Sequence, residues 1–335
     1  MTDKIRVGVV GAGAITQVAH LGTLSRMDGV EVVAICDIDV PKAQSLARRF
    51  GIPDVYDDIE DLLRYAAPQA VVICTPNHLH EIHVRTALSA GAHVLCERPL
   101  ALTIDGVERV RAARDRRDRV VMVGMNHRYR SDVQAVRQFL ISEELGALHA
   151  IRGGWYMFRP PGHLTGWRRR PAESGGGAML DLGLPVVDLA LWLAGCPKVG
   201  MVSASYASIE DGEIEDSGCA LLRCDGGLSV FVDVSWRHIG PREKFWFEVL
   251  GSEGSASLVP FAVFKEMHGA PLNVTPAGAT GREDAFTGSY RAEWAHFFAT
   301  VRGEQPAPKL EDQLTLHRTM EAISRSARQG RDVTL

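Results

Sequence analysis

No two of the six cysteines form a C-x-x-C pair, which removes the commonest zinc and dithiol redox motifs; reduced thiols in a cytoplasmic protein are expected. No stretch reads as ~20 consecutive apolar residues, and the chain enters a strand-like run, IRVGVV, at once. Neither export nor a membrane span is therefore expected. A basic excess is also missing: the formal net charge is -4, which argues against a general affinity for nucleic acid or acidic membranes. Repeats and low-complexity segments are absent. What remains is a chain of 335 residues, 46% hydrophobic and 23% charged, long enough for two domains with separate cores. A small molecule is the expected partner.

Through residue 125, short apolar runs alternate with helical patterns. IRVGVV precedes a helix over Ile15 to Met27, VEVVAIC one over Pro41 to Phe50, AVVICT one over His78 to Ala90, and HVLCE one over Thr103 to Arg117; VVMVG follows. Such alternation predicts an α/β fold with a doubly wound parallel sheet. Gly51 and Gly91 follow helix ends, Pro41 suits a first turn, and Thr103 can cap the helix it precedes.

The first strand runs into Gly11-Ala12-Gly13-Ala14-Ile15-Thr16, a G-x-G-x-x turn with threonine at the third small-residue position. Its first glycine makes the turn, the second admits a pyrophosphate, and the helix offers its amides to that anion. A glycine turn in an unrelated βα unit has the same appearance, but Asp37 closes the second strand, where a carboxylate can accept from the ribose hydroxyls and repel a 2′-phosphate. NAD is thus expected, and NADP disfavoured. Polar or rigid residues recur at the carboxyl ends of the strands: Gly11, Asp37, Thr75-Pro76-Asn77, Glu97-Arg98-Pro99 and Asn126. Ligands bind beyond these ends in such sheets, so these residues are expected to share one crevice, with the charges of Glu97 and Arg98 emerging at its rim.

The stretches GAGAITQVAH, TPNHLHEIHVRTALSAGAHVLCERPLA and WRRRPAESGGGAMLDLGLPVVDLALWL resemble the Gfo/Idh/MocA family, and the likeness extends to EWAHFFATV and HRTMEAISRSARQG near the C-terminus. The resemblance implies a Rossmann domain over 1–125 and, over 126–335, an α+β domain with a large open, mostly antiparallel sheet and C-terminal helices packing toward the domain junction. It also implies NAD(P)-dependent oxidation or reduction of sugars, cyclitols and related polyols, and places His80 near the nicotinamide. The sequence departs from the family pattern twice. Arg98 stands where an E-K-P lysine is usual, and Pro185 replaces the histidine of D-x-G-x-H-x-x-D, within Asp181-Leu-Gly-Leu-Pro185-Val-Val-Asp188.

Arginine can hold a substrate oxygen but is no proton acceptor at neutral pH, and proline is neither donor nor acceptor through its side chain. Catalysis then needs another acceptor, for which Asp181 is the first candidate and His163 the second. Asp188, seven residues after Asp181 and so on the same helical face, is either a functional or a supporting carboxylate. Pro185 also predicts a kink or a helix start near Leu184. Tyr156, Trp167 and Arg168, in an aromatic and arginine-rich stretch, are candidate substrate residues, as are Arg98 and Asp181; the same residues suit a sheet core and a solvated surface. A metal is not expected, because HLHEIH lacks H-E-x-x-H spacing. Three functions stay open: a polyol dehydrogenase or reductase, a nonredox enzyme using NAD transiently as in glycoside cleavage, and a nucleotide-binding protein without turnover. A wide, bare sheet in the second domain favours a homodimer or homotetramer.

Overall fold

The computed structural model describes residues 4–335 apart from Pro161, His163, 209–213 and 280–282. The chain divides into two compact units, Met1–Asn126 with Phe286–Leu310, and His127–Ala285 with Glu311–Leu335. From the sequence, everything after 125 is expected in the second unit; in the structure the helix Ala285–Val301 lies almost wholly in the first. Its Trp294, Phe297 and Phe298 are buried with exposures of 0%, 0% and 1%, so apolar burial holds the helix there.

The first unit is built on six parallel strands: β1 Ile5–Val10, β2 Val30–Cys36, β3 Asp54–Tyr56, β4 Ala70–Ile73, β5 His93–Cys96 and β6 Val121–Val123, in the order β3-β2-β1-β4-β5-β6. Helices cover both faces, which explains why the central strands are continuous apolar runs instead of alternating ones. Caps set the helix limits. Asp39 accepts from the Lys42 amide at 3.2 Å ahead of Val40–Phe50, Pro41 fills the first turn, and Gly51 ends the helix at φ 68°. Thr103 accepts from the Gly106 amide at 3.1 Å and opens Ile104–Asp115. The helix expected over 15–27 runs from Ala14 to Leu24 and passes through a π-helical turn, Thr16–His20. Such wide turns are inserted where a side chain must be re-aimed, and here His20 is fully buried.

The second unit contains nine strands: β7 Leu148–Tyr156, β8 Val199–Ala207, β9 Ser217–Cys224, β10 Ser229–Ser235, β11 Lys244–Gly251, β12 Gly254–Leu258, β13 Phe261–Met267, β14 Ala270–Asn273 and β15 Val333–Thr334. They form one sheet in the order β14-β13-β12-β11-β7-β10-β9-β8-β15, antiparallel except for β7 with β10. One face is covered by the helix Leu184–Leu193, where Val186 packs at Gly153. The helical stretch Pro171–Leu193 is long and apolar enough by composition to cross a membrane, contrary to the reading of the sequence. Its most apolar window is 78% buried inside the protein, and the apolar side chains serve the core.

Pro185 acts as expected: a π-helical turn, Met179–Gly183, gives way to an α-helix from Leu184, with Pro185 in its first turn, where an amide donor is not needed. Asp188 from this helix is 2% exposed and grips Arg128 at both nitrogens, 2.8 Å at Nε and 2.6 Å at Nη2. It is a supporting carboxylate. Removing its charge leaves a buried guanidinium underpaired, so Asp188→Asn is expected to destabilise the second unit by about 3–5 kcal/mol in denaturant unfolding, against less than about 1 kcal/mol for an exposed ion pair.

Candidate active site

In the first unit β1 ends in a turn that only glycine fits. Gly11 adopts φ 101°, and a Cβ there would stand 2.6 Å from the carbonyl oxygen of Cys74. The helical turns open at Ala14, so the leading amides, which have no partner within the helix, face outward beside the half-buried Gly13 and the exposed Ala14. Thr16 fills the third position because its hydroxyl closes back onto the Gly11 carbonyl at 2.6 Å. Asp37 fastens the same loop, accepting from the Ala12 amide at 2.6 Å through Oδ2 and from the Asp39 amide at 2.9 Å through Oδ1. Gly13, Ala14, Ile15, Asp37, Thr75, Pro76 and Asn77 all retain solvent access at this sheet end. These features fit the pyrophosphate and ribose of a dinucleotide.

Glu97, expected at the rim, turns inward and is 8% exposed. Its Oε1 meets His20 Nε2 at 3.0 Å and the Tyr290 hydroxyl at 3.4 Å, while Oε2 accepts from the Arg98 amide at 3.3 Å. Burial pushes the Glu97 pKa up, but the His20 hydrogen bond and the nearby Arg98 charge outweigh it and hold the carboxyl below its usual range. Burial opposes a second proton on His20, but Cys74 and Glu97 favour one and outweigh it, so the His20 pKa lies above its usual value. The Trp294 indole N–H, which can only donate, reaches His20 Nδ1 at 3.1 Å, and Nε2 faces Glu97. Arg98 follows, half-buried, joined to Pro99 by a cis peptide bond.

His80 and Asn126 are likewise supporting residues. His80 is 1% exposed, with Nδ1 2.6 Å from the Pro99 carbonyl oxygen and Nε2 2.8 Å from that of Thr75, so it sits between the loops after β4 and β5, where burial lowers its pKa and a neutral ring donates to one of the two. Asn126, 8% exposed, donates to the Ser289 hydroxyl at 2.9 Å. The histidines of HLHEIH do not converge on a metal: His83 Nδ1 pairs with the Thr75 hydroxyl at 3.0 Å, and His78 is exposed.

In the second unit Asp181 is held from two sides. Its Oδ2 accepts from Arg159 Nη2 at 2.8 Å and from the Trp236 indole at 3.0 Å. Asp181 is 34% and Arg159 38% exposed in their side chains, so the pair stands at the surface. The turn carrying Asp181 is fixed from its start by Glu215, whose Oε1 accepts from the amides of Gly177 at 2.9 Å and Met179 at 3.1 Å. Glu215 is 9% exposed, and burial raises its pKa. Trp167 and Arg168 lie together, the guanidinium carbon 4.3 Å from the ring centre. Tyr156 does not join them. It hydrogen-bonds Asp233 on β10 at 2.7 Å, and strand alternation places it on the sheet face opposite the helix that follows Asp181. His163 falls outside the described residues.

Three comparisons bear on this arrangement. Residues 5–125 match the family described as "Oxidoreductase family, NAD-binding Rossmann fold", and residues 133–257 match "GFO/IDH/MocA C-terminal domain". Over 98% of both chains the sequence is 30% identical to the uncharacterized oxidoreductase ORF334 of Rhizobium meliloti. It is 27% identical to the D-glucoside 3-dehydrogenase of Escherichia coli (strain K12), over 80% of this chain and 81% of that one. Among solved structures, GenD2 from gentamicin A biosynthesis in complex with NAD superposes with a TM-score of 0.86 at 28% identity, covering 100% of this chain and 97% of the other.

A pH dependence follows from the first unit. Burial, then the neighbouring His80, push the His83 pKa down from 6.5 to about 4. The unfolded chain therefore takes up this proton first, and the stability that His83 contributes, full above ~6.5, is lost as the pH falls toward about 4. The unfolding midpoint is expected to drop from about pH 7 to about pH 5, and to drop less in His83→Gln; equal slopes for the two proteins would assign the loss to other groups.

Proposed function

Because the chain belongs to the Gfo/Idh/MocA family of NAD-binding oxidoreductases, we propose that it is an NAD-dependent dehydrogenase or reductase acting on a CH–OH group of a sugar, cyclitol or related polyol. The observation that carries this reading is the strand-end loop itself: Gly11 pressed on the Cys74 carbonyl, a helix opening at Ala14, and Asp37 fastening the turn. Similarity to a glucoside dehydrogenase supports the substrate class.

NAD, when bound, supplies the hydride acceptor or donor. The chain supplies the rest. Gly13, Ala14 and Ile15 offer backbone amides to the pyrophosphate, and Asp37 accepts from the ribose, leaving a 2′-phosphate no room free of repulsion. Arg98 donates hydrogen bonds to the reacting oxygen and stabilises negative charge on it, but keeps its own proton throughout. Pro185 offers nothing in place of the family histidine, so the substrate proton goes to Asp181, a carboxylate oriented by Arg159 and Trp236. Trp167 provides an aromatic face for the sugar ring. Outside the reaction, register aligns Met201, Leu221, Phe231, Trp246, Leu250 and Phe264 on the sheet face away from the helix Leu184–Leu193, an apolar surface that supports assembly as a homodimer or homotetramer.

A sugar and cyclitol screen followed at the absorbance band of reduced nicotinamide tests the reaction. Turnover is expected with at least one polyol; NAD binding without any absorbance change would favour the nonredox or inactive alternatives. On the substrate so identified, Arg98→Ala should lower kcat/KM by about 10²–10³. Asp181→Asn should lower kcat by about 10²–10⁴, and undiminished turnover would remove Asp181 from the mechanism.

A further inference from the structure

The second unit gives most of its partly buried arginines a carboxylate. Arg128 has Asp188, Arg130 has Asp132 at 2.6 Å, Arg237 has Asp216 at 3.3 Å, and even the exposed Arg170 has Glu173 at 2.5 Å. Beside Asp181 the pattern breaks. Arg159 takes the carboxylate with Nη2, and its Nε is enclosed without an acceptor among the described residues. Arg168 is exposed, with its guanidinium carbon 4.3 Å from the Trp167 ring centre, and its side chain makes no ion pair or hydrogen bond among the described residues. Two guanidinium groups thus stand near one carboxylate, which bonds only Arg159 of the two.

Loss of hydration and the charge of Arg159 lower the Arg168 pKa, and Asp181 offsets this only in part. Arg168 is nevertheless open to solvent and Arg159 Nε faces no acceptor among the described residues, so both cations are able to take an anion from outside the protein. A guanidinium stacked on an indole keeps its edge N–H groups free in the ring plane, the geometry that grips a carboxylate or phosphate through two oxygens.

We propose that Arg168, assisted by Arg159, binds an anionic substituent of the substrate, so that the preferred ligand is an acidic sugar, bearing a carboxylate or a phosphate, and not a neutral polyol. This rests on the proposed sugar oxidoreductase reading and narrows its substrate class. The role of Arg168 is in specificity: the oxygen chemistry stays with Arg98 and Asp181, and Arg168 sets which sugars are held there.

Isothermal titration of the NAD-saturated protein tests it, with D-glucuronate, glucose 6-phosphate, methyl glucoside and inorganic phosphate as separate ligands. At least one acidic sugar should bind about tenfold or more tightly than methyl glucoside, and Arg168→Gln should erase that margin, whereas Arg169→Gln, at the next residue, should keep it. The glucuronate and glucose 6-phosphate arms tell carboxylate from phosphate recognition. Equal or tighter binding of methyl glucoside, no binding of either acidic sugar, an Arg168→Gln protein that behaves like Arg169→Gln, or inorganic phosphate binding as tightly as both acidic sugars would each overturn the proposal. Turnover of neutral polyols in the absorbance screen would then leave the oxidoreductase reading standing, and failure to bind NAD at all would fell that reading instead.

Discussion

A carboxylate buried at the end of a strand has to be satisfied, and much of the first unit is arranged around that demand. Glu97 ends β5 with its side chain turned inward, where His20, Tyr290 and the Arg98 amide meet it. These partners come from three places: the helical turn behind the glycine loop, the helix Ala285–Val301, and the strand-end turn that carries Arg98. One charge therefore links the helical turn behind the glycine loop to the turn that carries Arg98, the residues proposed to meet nucleotide and substrate. The buried Trp294 completes the set by reaching His20 Nδ1 with its indole N–H. His80 fills a similar place on a smaller scale, its ring lying between the Thr75 and Pro99 carbonyls in the loops after β4 and β5.

The second unit orients its candidate acid-base residue differently, through the backbone. Glu215 caps the turn that presents Asp181, and Trp236, at the end of β10, reaches the same carboxylate while its amide bonds the Asp216 carbonyl at 2.8 Å. Glu215 and Asp216 are consecutive, so one strand entry aligns both supports. Pro185 disturbs little of this, because proline sits in a first helical turn that spares its missing amide. The scaffold that holds Asp181 is therefore intact beside it.

Five strands of the first unit are legible because a parallel strand buried on both faces writes itself as an apolar run, and the caps Asp39, Thr103 and Gly51 punctuate the helices between; the short β3, fully buried at none of its residues, leaves no such run. Strands β13 and β14 carry a weak signal: β14 is exposed along its length and carries a proline, and the outer half of β13, with Lys265 and Glu266, has no apolar partner face to enforce alternation. At the site, the glycine loop and Asp37 follow from local rules, whereas the inward turn of Glu97 depends on His20 and Tyr290, which lie 77 and 193 residues away. Arg159 and Trp236, the partners of Asp181, are hidden for the same reason. Tyr156 is different: adjacent strand residues face opposite ways, and Trp155 already fills the inner face, so the alternation alone could have excluded it from the surface near Asp181.

The central claim is that the buried Glu97 network holds the nucleotide loop in its binding form. Calorimetric titration of NAD into the wild-type protein and into Glu97→Gln, with folding of both checked by circular dichroism, tests it most directly. The substituted amide would still fill the space but would lack the charge that binds His20 and the Arg98 amide. Losing a hydrogen bond to a charged group costs about 1.5–3 kcal/mol, so NAD should bind about tenfold or more weakly. Equal affinity in the two folded proteins would contradict the account.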